Sequence, residues 1–307
     1  MRDFVLYFEE KEGTTAIMRW ANRLSNVRVL HYADDRCWEP LEPFMLGENV
    51  RHEEIQSLMQ AIYVRPRNME ELRRRYAMKV PNRELVALPD NCSIGLKMRW
   101  TPPRVFYSGL PIFDLPVNRI FKEYRYRRYY DSMVQTLSDT GVAPMLAVRQ
   151  NVFKWALSKY HGDGTGKKGH LQFKLASGEL TRHDIPKIKV NLSRFGRLLD
   201  QCRRKHDAKR QFVEQMAKDG LEVFPLLYED FLEDKVQFFE GFLDRINNPM
   251  DSVDLKRSLE GDIVLKRVHK GSLSDYVENH EELHRAYGNA FESWTPPLSV
   301  AKTTRES

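Results

Sequence analysis

Cysteine is scarce in this chain. There are three, Cys37, Cys92 and Cys202, among 307 residues. They lie far apart, form no Cys-x-x-Cys pair and have no histidine at ligand spacing beside them. That excludes a disulfide framework and a clustered zinc site, and it fits a reducing compartment. Long apolar runs are missing too: none approaches the roughly 20 residues that cross a bilayer. The first apolar segment begins at Phe4, which leaves no room for a cleavable leader, so the expectation is a soluble, cytoplasmic protein with no membrane span. There is no internal repeat and no low-complexity tract. The G-x-x-x-x-G-K-[ST] pattern of nucleoside triphosphate sites is absent. Charge of one sign is in short supply as well, with Lys+Arg at 49 against Asp+Glu at 43, a net of +6. That excess is too small against the total to imply a nucleic-acid partner. The Tyr- and Arg-rich stretch from Tyr124 to Tyr130 reads as an amphipathic helix with packed tyrosines and solvated arginines, not as a nucleic-acid platform.

What is present alternates. Short apolar runs at Phe4–Phe8, Val27–His31, Ser93–Trp100, Pro144–Val148 and Val223–Tyr228 have the continuous hydrophobicity of strands buried on both faces. Helical patterns fill the gaps: Thr14–Leu24, His52–Tyr63, Asn118–Asp139, Val152–Tyr160, Lys189–Gly220 and Asp230–Arg245. This alternation predicts an α/β fold, a central mainly parallel sheet flanked by helices in three layers. A single domain is expected over residues 1–297. Arg65–Asn91 and His161–His170 are read as lid or insertion loops, and residues 298–307 as a flexible tail.

The most telling segment is the first. Phe4-Val-Leu-Tyr-Phe8 reads as a strand, Gly13 as a turn, and the run from Thr14 as a helix. A strand turning on glycine into a helix aims free backbone N–H groups and the positive end of the helix dipole at one point, which suits phosphate or sulfate. Lys11, Thr14 and Thr15 add donors there. In open parallel sheets, ligands bind beyond the carboxyl ends of the strands, where this turn lies.

Lys11-Glu-Gly-Thr-Thr15 resembles the phosphosulfate-binding loop of sulfotransferases, commonly K/R-S-G-T-T. Arg149 to Tyr160 resembles that family's second signature, Leu227-Tyr-Glu-Asp-Phe231 its Y-E-D motif, and Ile94 to Trp100 the G-x-K strand of bacterial trehalose-type members. Val268 to Asn279 resembles the C-terminal segment that closes over the donor. The five pieces occur in family order, and the fold they imply is P-loop-like. The resemblance implies an enzyme that moves a sulfuryl group from PAPS (3′-phosphoadenosine 5′-phosphosulfate), with no metal, to a hydroxyl on a carbohydrate, lipid or small-metabolite acceptor. It implies a 5′-phosphosulfate cradle at Lys11, Gly13, Thr14 and Thr15, with Lys11 acting on the bridging oxygen. It also implies a 3′-phosphate clamp at Arg149 and Ser158, with Arg267 and Lys270 (and Lys266 beside them) closing the pocket. Cys37 to Phe44 resembles the region that carries the general base, which points to Glu42, with Glu39 and His31 as competitors. Lys97 faces the site or lies at a sheet edge; both readings stay open.

Two departures stand out. Glu12 occupies the position of the family's small serine, with Glu9 and Glu10 beside it. Arg149 and Ser158 are separated by one residue more than is usual. The alternatives are a P-loop-related kinase or nucleotide hydrolase, and a non-catalytic anion-binding protein on the same scaffold. The oligomeric state is not encoded legibly.

Overall fold

The computed structural model describes residues 1–31, 52–64, 90–99, 130–164 apart from 132, 187–261 and 272–288, with residues 70, 178, 179 and 181 besides. Glu39, Glu42, Lys266, Arg267 and Lys270 lie outside them, as do the tail and nearly all of the segment 65–91.

Five strands form one sheet: β1 (Phe4–Phe8), β2 (Val27–Val29), β3 (Ser93–Arg99), β4 (Ala143–Val148) and β5 (Phe224–Leu227). Their order is β2-β3-β1-β4-β5 and every pairing is parallel. All five fall on the predicted apolar runs. β1 is central and buried along its whole length, which is why it reads as continuous apolar residues with no polar alternation. Its pairing with β3 sets Phe4 opposite Gly95. A Cβ at Gly95 would lie 2.0 Å from the Phe4 ring, so this strand position accepts nothing larger than glycine.

Helices cover both faces. On one side Val5 and Tyr7 pack against α2 (His52–Tyr63), α3 (residues 133–140) and the C-terminal half of α5 (Leu192–Lys218) through Met59, Leu137, Phe212 and Met216. On the other, Phe4, Leu6 and Phe8 meet α1 (Thr14–Ala21), α6 (Tyr228–Glu233), α7 (Lys235–Arg245) and α8 (Ser252–Ser258). Phe4 and Phe242 stack edge to face at 4.9 Å between centroids, a favoured aromatic geometry. A third cluster joins α4 (Val152–Gly164), the N-terminal half of α5 and α9 (His280–Tyr287). This is the expected three-layer α/β architecture, P-loop-like in having the glycine turn and α1 follow the central strand. The chain leaves β1 toward β2 on one side and reaches β4 on the other, so the reversal of order lies at the carboxyl end of β1.

Several boundaries differ from expectation; α1, for instance, ends at Ala21 and not at Leu24. The helix expected over Asp230–Arg245 is two, because Asp234 turns out of the helix and its carboxylate accepts from Val236 N and Gln237 N at 2.8 and 3.1 Å. α5 starts at Leu192, capped by Asn191, because Ile188 instead bridges to Val277. α4 runs on to Gly164, so the segment read as a loop from His161 begins as helix, with His161 buried at its start.

Candidate anion-binding site

Residues 9–13 link β1 to α1. Lys11 and Gly13 both have positive φ, 66° and 79°. For lysine that conformation costs roughly 1–2 kcal/mol, so something must hold it. Two long-range hydrogen bonds do: Arg149 Nη1 donates to the Lys11 carbonyl at 2.9 Å, and Trp155 Nε1 to the Glu10 carbonyl at 2.8 Å. Gly13 is the N-cap of α1, and no side chain caps that helix. The first-turn N–H groups of Thr14 and Thr15 have no partner within the helix, as in any helix start. At Gly13 a Cβ would lie 2.1 Å from the Tyr228 ring, so this tyrosine packs directly under the turn.

Arg149 follows β4, and Ser158 lies on α4, which the same strand feeds. The nine-residue separation brings them together: Arg149 Nη1 donates to Ser158 Oγ at 3.0 Å. The guanidinium also lies 5.4 Å from the Tyr228 ring centroid. Its Nε is buried with no hydrogen-bond partner. Start-of-helix donors, a strand-end arginine and a serine hydroxyl thus converge on the carboxyl ends of β1 and β4. Tyr276, in the C-terminal segment, lies within electrostatic range of Arg149. Burial raises its phenol above the ordinary range and the nearby Arg149 charge draws it back.

Lys97 is resolved by its position. β3 is an interior strand, and the Lys97 ammonium donates to Thr15 Oγ1 at 3.3 Å while lying 4.1 Å over the Phe8 ring. It faces the site. His161 approaches from α4. Burial, and after it the charge of Lys11, hold its imidazole below the ordinary range. His31 follows β2, at the edge of the sheet, with β3 between that strand and β1.

Glu9 and Glu12 of the loop point away from this mouth. Glu12 is 0% exposed; its Oε1 accepts from Lys209 of α5, and its Oε2 accepts from Glu9 N at 2.7 Å. Burial pushes the Glu12 carboxyl up and the Lys209 ammonium down, and each draws the other back. Lys209 also donates to the Ala147 carbonyl at 2.6 Å. Glu9 pairs with Lys205 at 2.5 Å and lies 3.9 Å from Lys159. Burial pushes its carboxyl up, but the ammoniums of Lys205, Lys159 and Lys209 outweigh burial and hold it below the ordinary range. His206, between the two lysines on α5, is pushed down to about 3 by burial and by the charges of Lys209 and Arg210. It is neutral at neutral pH.

Glu229 also does something local sequence does not show. Its carboxylate accepts from Gln150 N and Asn151 N at 2.8 and 3.0 Å. It thereby fixes the turn that carries Arg149 into α4.

Among the described residues, no group of three or more His, Cys, Asp or Glu is arranged to hold a metal ion. No described helix is long and apolar enough to cross a membrane. No protein-family model matches the sequence, and no curated protein sequence matches it. Among solved structures, the chain is similar to a sulfotransferase from Alicyclobacillus acidocaldarius at TM-score 0.39 and 10% identity, covering 94% of both chains. It is similar to a sulfotransferase from Mycobacterium avium at TM-score 0.36 and 12% identity, covering 94% of this chain and 75% of that one.

Proposed function

We propose that the protein is a sulfotransferase that uses PAPS as donor and passes its sulfuryl group to a hydroxyl of a carbohydrate, lipid or small-metabolite acceptor. One observation carries the reading: a single guanidinium nitrogen of Arg149 bonds both the loop after β1 and Ser158. Two anion-binding elements from distant parts of the chain therefore share one wall, which suits a ligand with two anionic groups on one nucleotide. The donor set fits such a ligand. It consists of N–H groups, hydroxyls and cations, it includes a buried Arg149 Nε without a partner, and the loop's Glu9 and Glu12 are engaged by lysines beneath it.

In this reading Lys11, Gly13, Thr14 and Thr15 hold the 5′-phosphosulfate, and Lys97 steadies Thr15. Arg149 and Ser158 hold the 3′-phosphate, with Arg267 and Lys270 closing over it. The bound donor supplies the activated sulfuryl group. Transfer of that group needs alignment and neutralisation of charge building on the leaving phosphate. Lys11, exposed and flexible, brings a point charge to that oxygen. Glu42 accepts the proton of the acceptor hydroxyl, with Glu39 and His31 as the alternatives at that position.

Calorimetry with adenosine 3′,5′-diphosphate, without metal, tests the proposal. Saturable binding below millimolar concentration is expected. No binding at millimolar concentration, or magnesium-dependent turnover of ATP, would contradict it.

A further inference from the structure

The face that α5 turns inward is a regular stripe at three- and four-residue spacing: Phe195, Leu199, Cys202, His206, Lys209, Phe212 and Met216. Both ends are apolar and belong to separate cores. The middle is not. Lys209 is 1% exposed, which costs several kcal/mol of desolvation before any partner is counted. Its ammonium reaches two places at once. One is Glu12, whose other oxygen closes the turn onto Glu9 N; the second is the carbonyl of Ala147, two residues before Arg149. One turn earlier on α5, Lys205 holds Glu9, the other end of the same turn.

A buried ion pair is seldom the most stabilising filling of a core: apolar residues of similar volume are often as good or better. What this pair does that apolar residues cannot is set a fixed distance between two backbone segments. We infer that Lys209 and Glu12, assisted by Lys205 and Glu9, are positioning residues that hold the loop after β1 in register with the strand end carrying Arg149, and so preform the two-anion site. Neither Lys209 nor Glu12 touches the ligand. Their effect passes through the Lys11 carbonyl, which Arg149 grips, and through the positive-φ geometry of the loop. The inference rests on the donor-site reading and deepens it.

The double variant Glu12→Gln/Lys209→Met tests it. It keeps both side-chain volumes and the acceptor for Glu9 N but removes the charge pair and the bond to Ala147. The expected result is a cooperative thermal transition close to that of the wild type, with affinity for adenosine 3′,5′-diphosphate about tenfold weaker, since small misplacements of positioning groups carry effects of that order. Lys205→Met, at a more exposed site, is the second arm; it is expected to fold and to weaken binding about threefold. Wild-type affinity in whichever of these variants folds overturns the positioning role and leaves a structural one. Failure of the wild type to bind overturns the donor-site reading itself, a separate outcome.

Discussion

Replacing Glu12 by serine, which makes the loop read Lys-Ser-Gly-Thr-Thr, is expected to destabilise the protein by about 3–5 kcal/mol. From the loop alone the opposite follows: removing a carboxylate from an anion cradle should relieve repulsion and strengthen binding. The structure reverses the sign. Glu12 is fully buried and aimed at Lys209, itself 1% exposed. Serine takes from that ammonium its closest carboxylate partner, and from Glu9 N its acceptor. The cost is that of an unpaired buried charge, which is the larger effect in a site shielded from solvent. A fall in Tm of about 5–8 °C corresponds to it for a chain of this size. Adding Lys209→Met to Glu12→Ser removes the stranded charge and should return most of the stability. Thermal denaturation of the three proteins checks both statements; a Glu12→Ser variant as stable as the wild type would refute the first.

Gly13→Ala is expected to be nearly as damaging, for a different reason. Its φ of 79° is in the left-handed region, where a Cβ costs roughly 1–2 kcal/mol. The added methyl would also lie 2.1 Å from the Tyr228 ring. The ring cannot retreat freely, because the Arg149 guanidinium lies beside it and it packs on Phe231 at 6.1 Å. Overpacking of this kind adds about 1–3 kcal/mol. Displacing Tyr228 also moves Arg149, so anion binding falls further than stability alone explains. Gly13→Ala/Tyr228→Ala separates the two causes: it removes the overlap but not the backbone strain, and should recover part of the lost stability without restoring affinity. Equal stability of the single and double variants would show that the close contact contributes nothing.

The fold was legible because its strands are buried on both faces. β1 and β4 are apolar throughout, and nothing but a covered parallel sheet asks for that pattern. The turn at Gly13 was legible because glycine there answers a local need for positive φ. What could not be read were contacts whose partners lie far away in sequence. Glu9 and Glu12 looked repulsive because Lys205 and Lys209 are nearly 200 residues distant. The partners of Glu229, Gln150 N and Asn151 N, precede it by 79 and 78 residues. One signal was available: the apolar stripe of α5 continues in register through His206 and Lys209. A lysine at a core position of an amphipathic helix requires a buried acid, and the loop has two. The break at Asp234 also had a signal, an aspartate placed where a helix start accepts a carboxylate cap.

In the proposed function, the loop after β1 and the Arg149–Ser158 pair form one site for a nucleotide with anionic groups at both its 5′ and 3′ positions. The most direct measurement compares adenosine 3′,5′-diphosphate with adenosine 5′-monophosphate by calorimetry, on the wild type and on Arg149→Ala. The wild type is expected to prefer the 3′,5′-diphosphate by at least about tenfold, the order of one charge-assisted bidentate contact. Arg149→Ala is expected to erase that preference while still binding both nucleotides weakly through the loop. Equal affinity of the wild type for the two nucleotides, or a preference that survives Arg149→Ala, would contradict the claim.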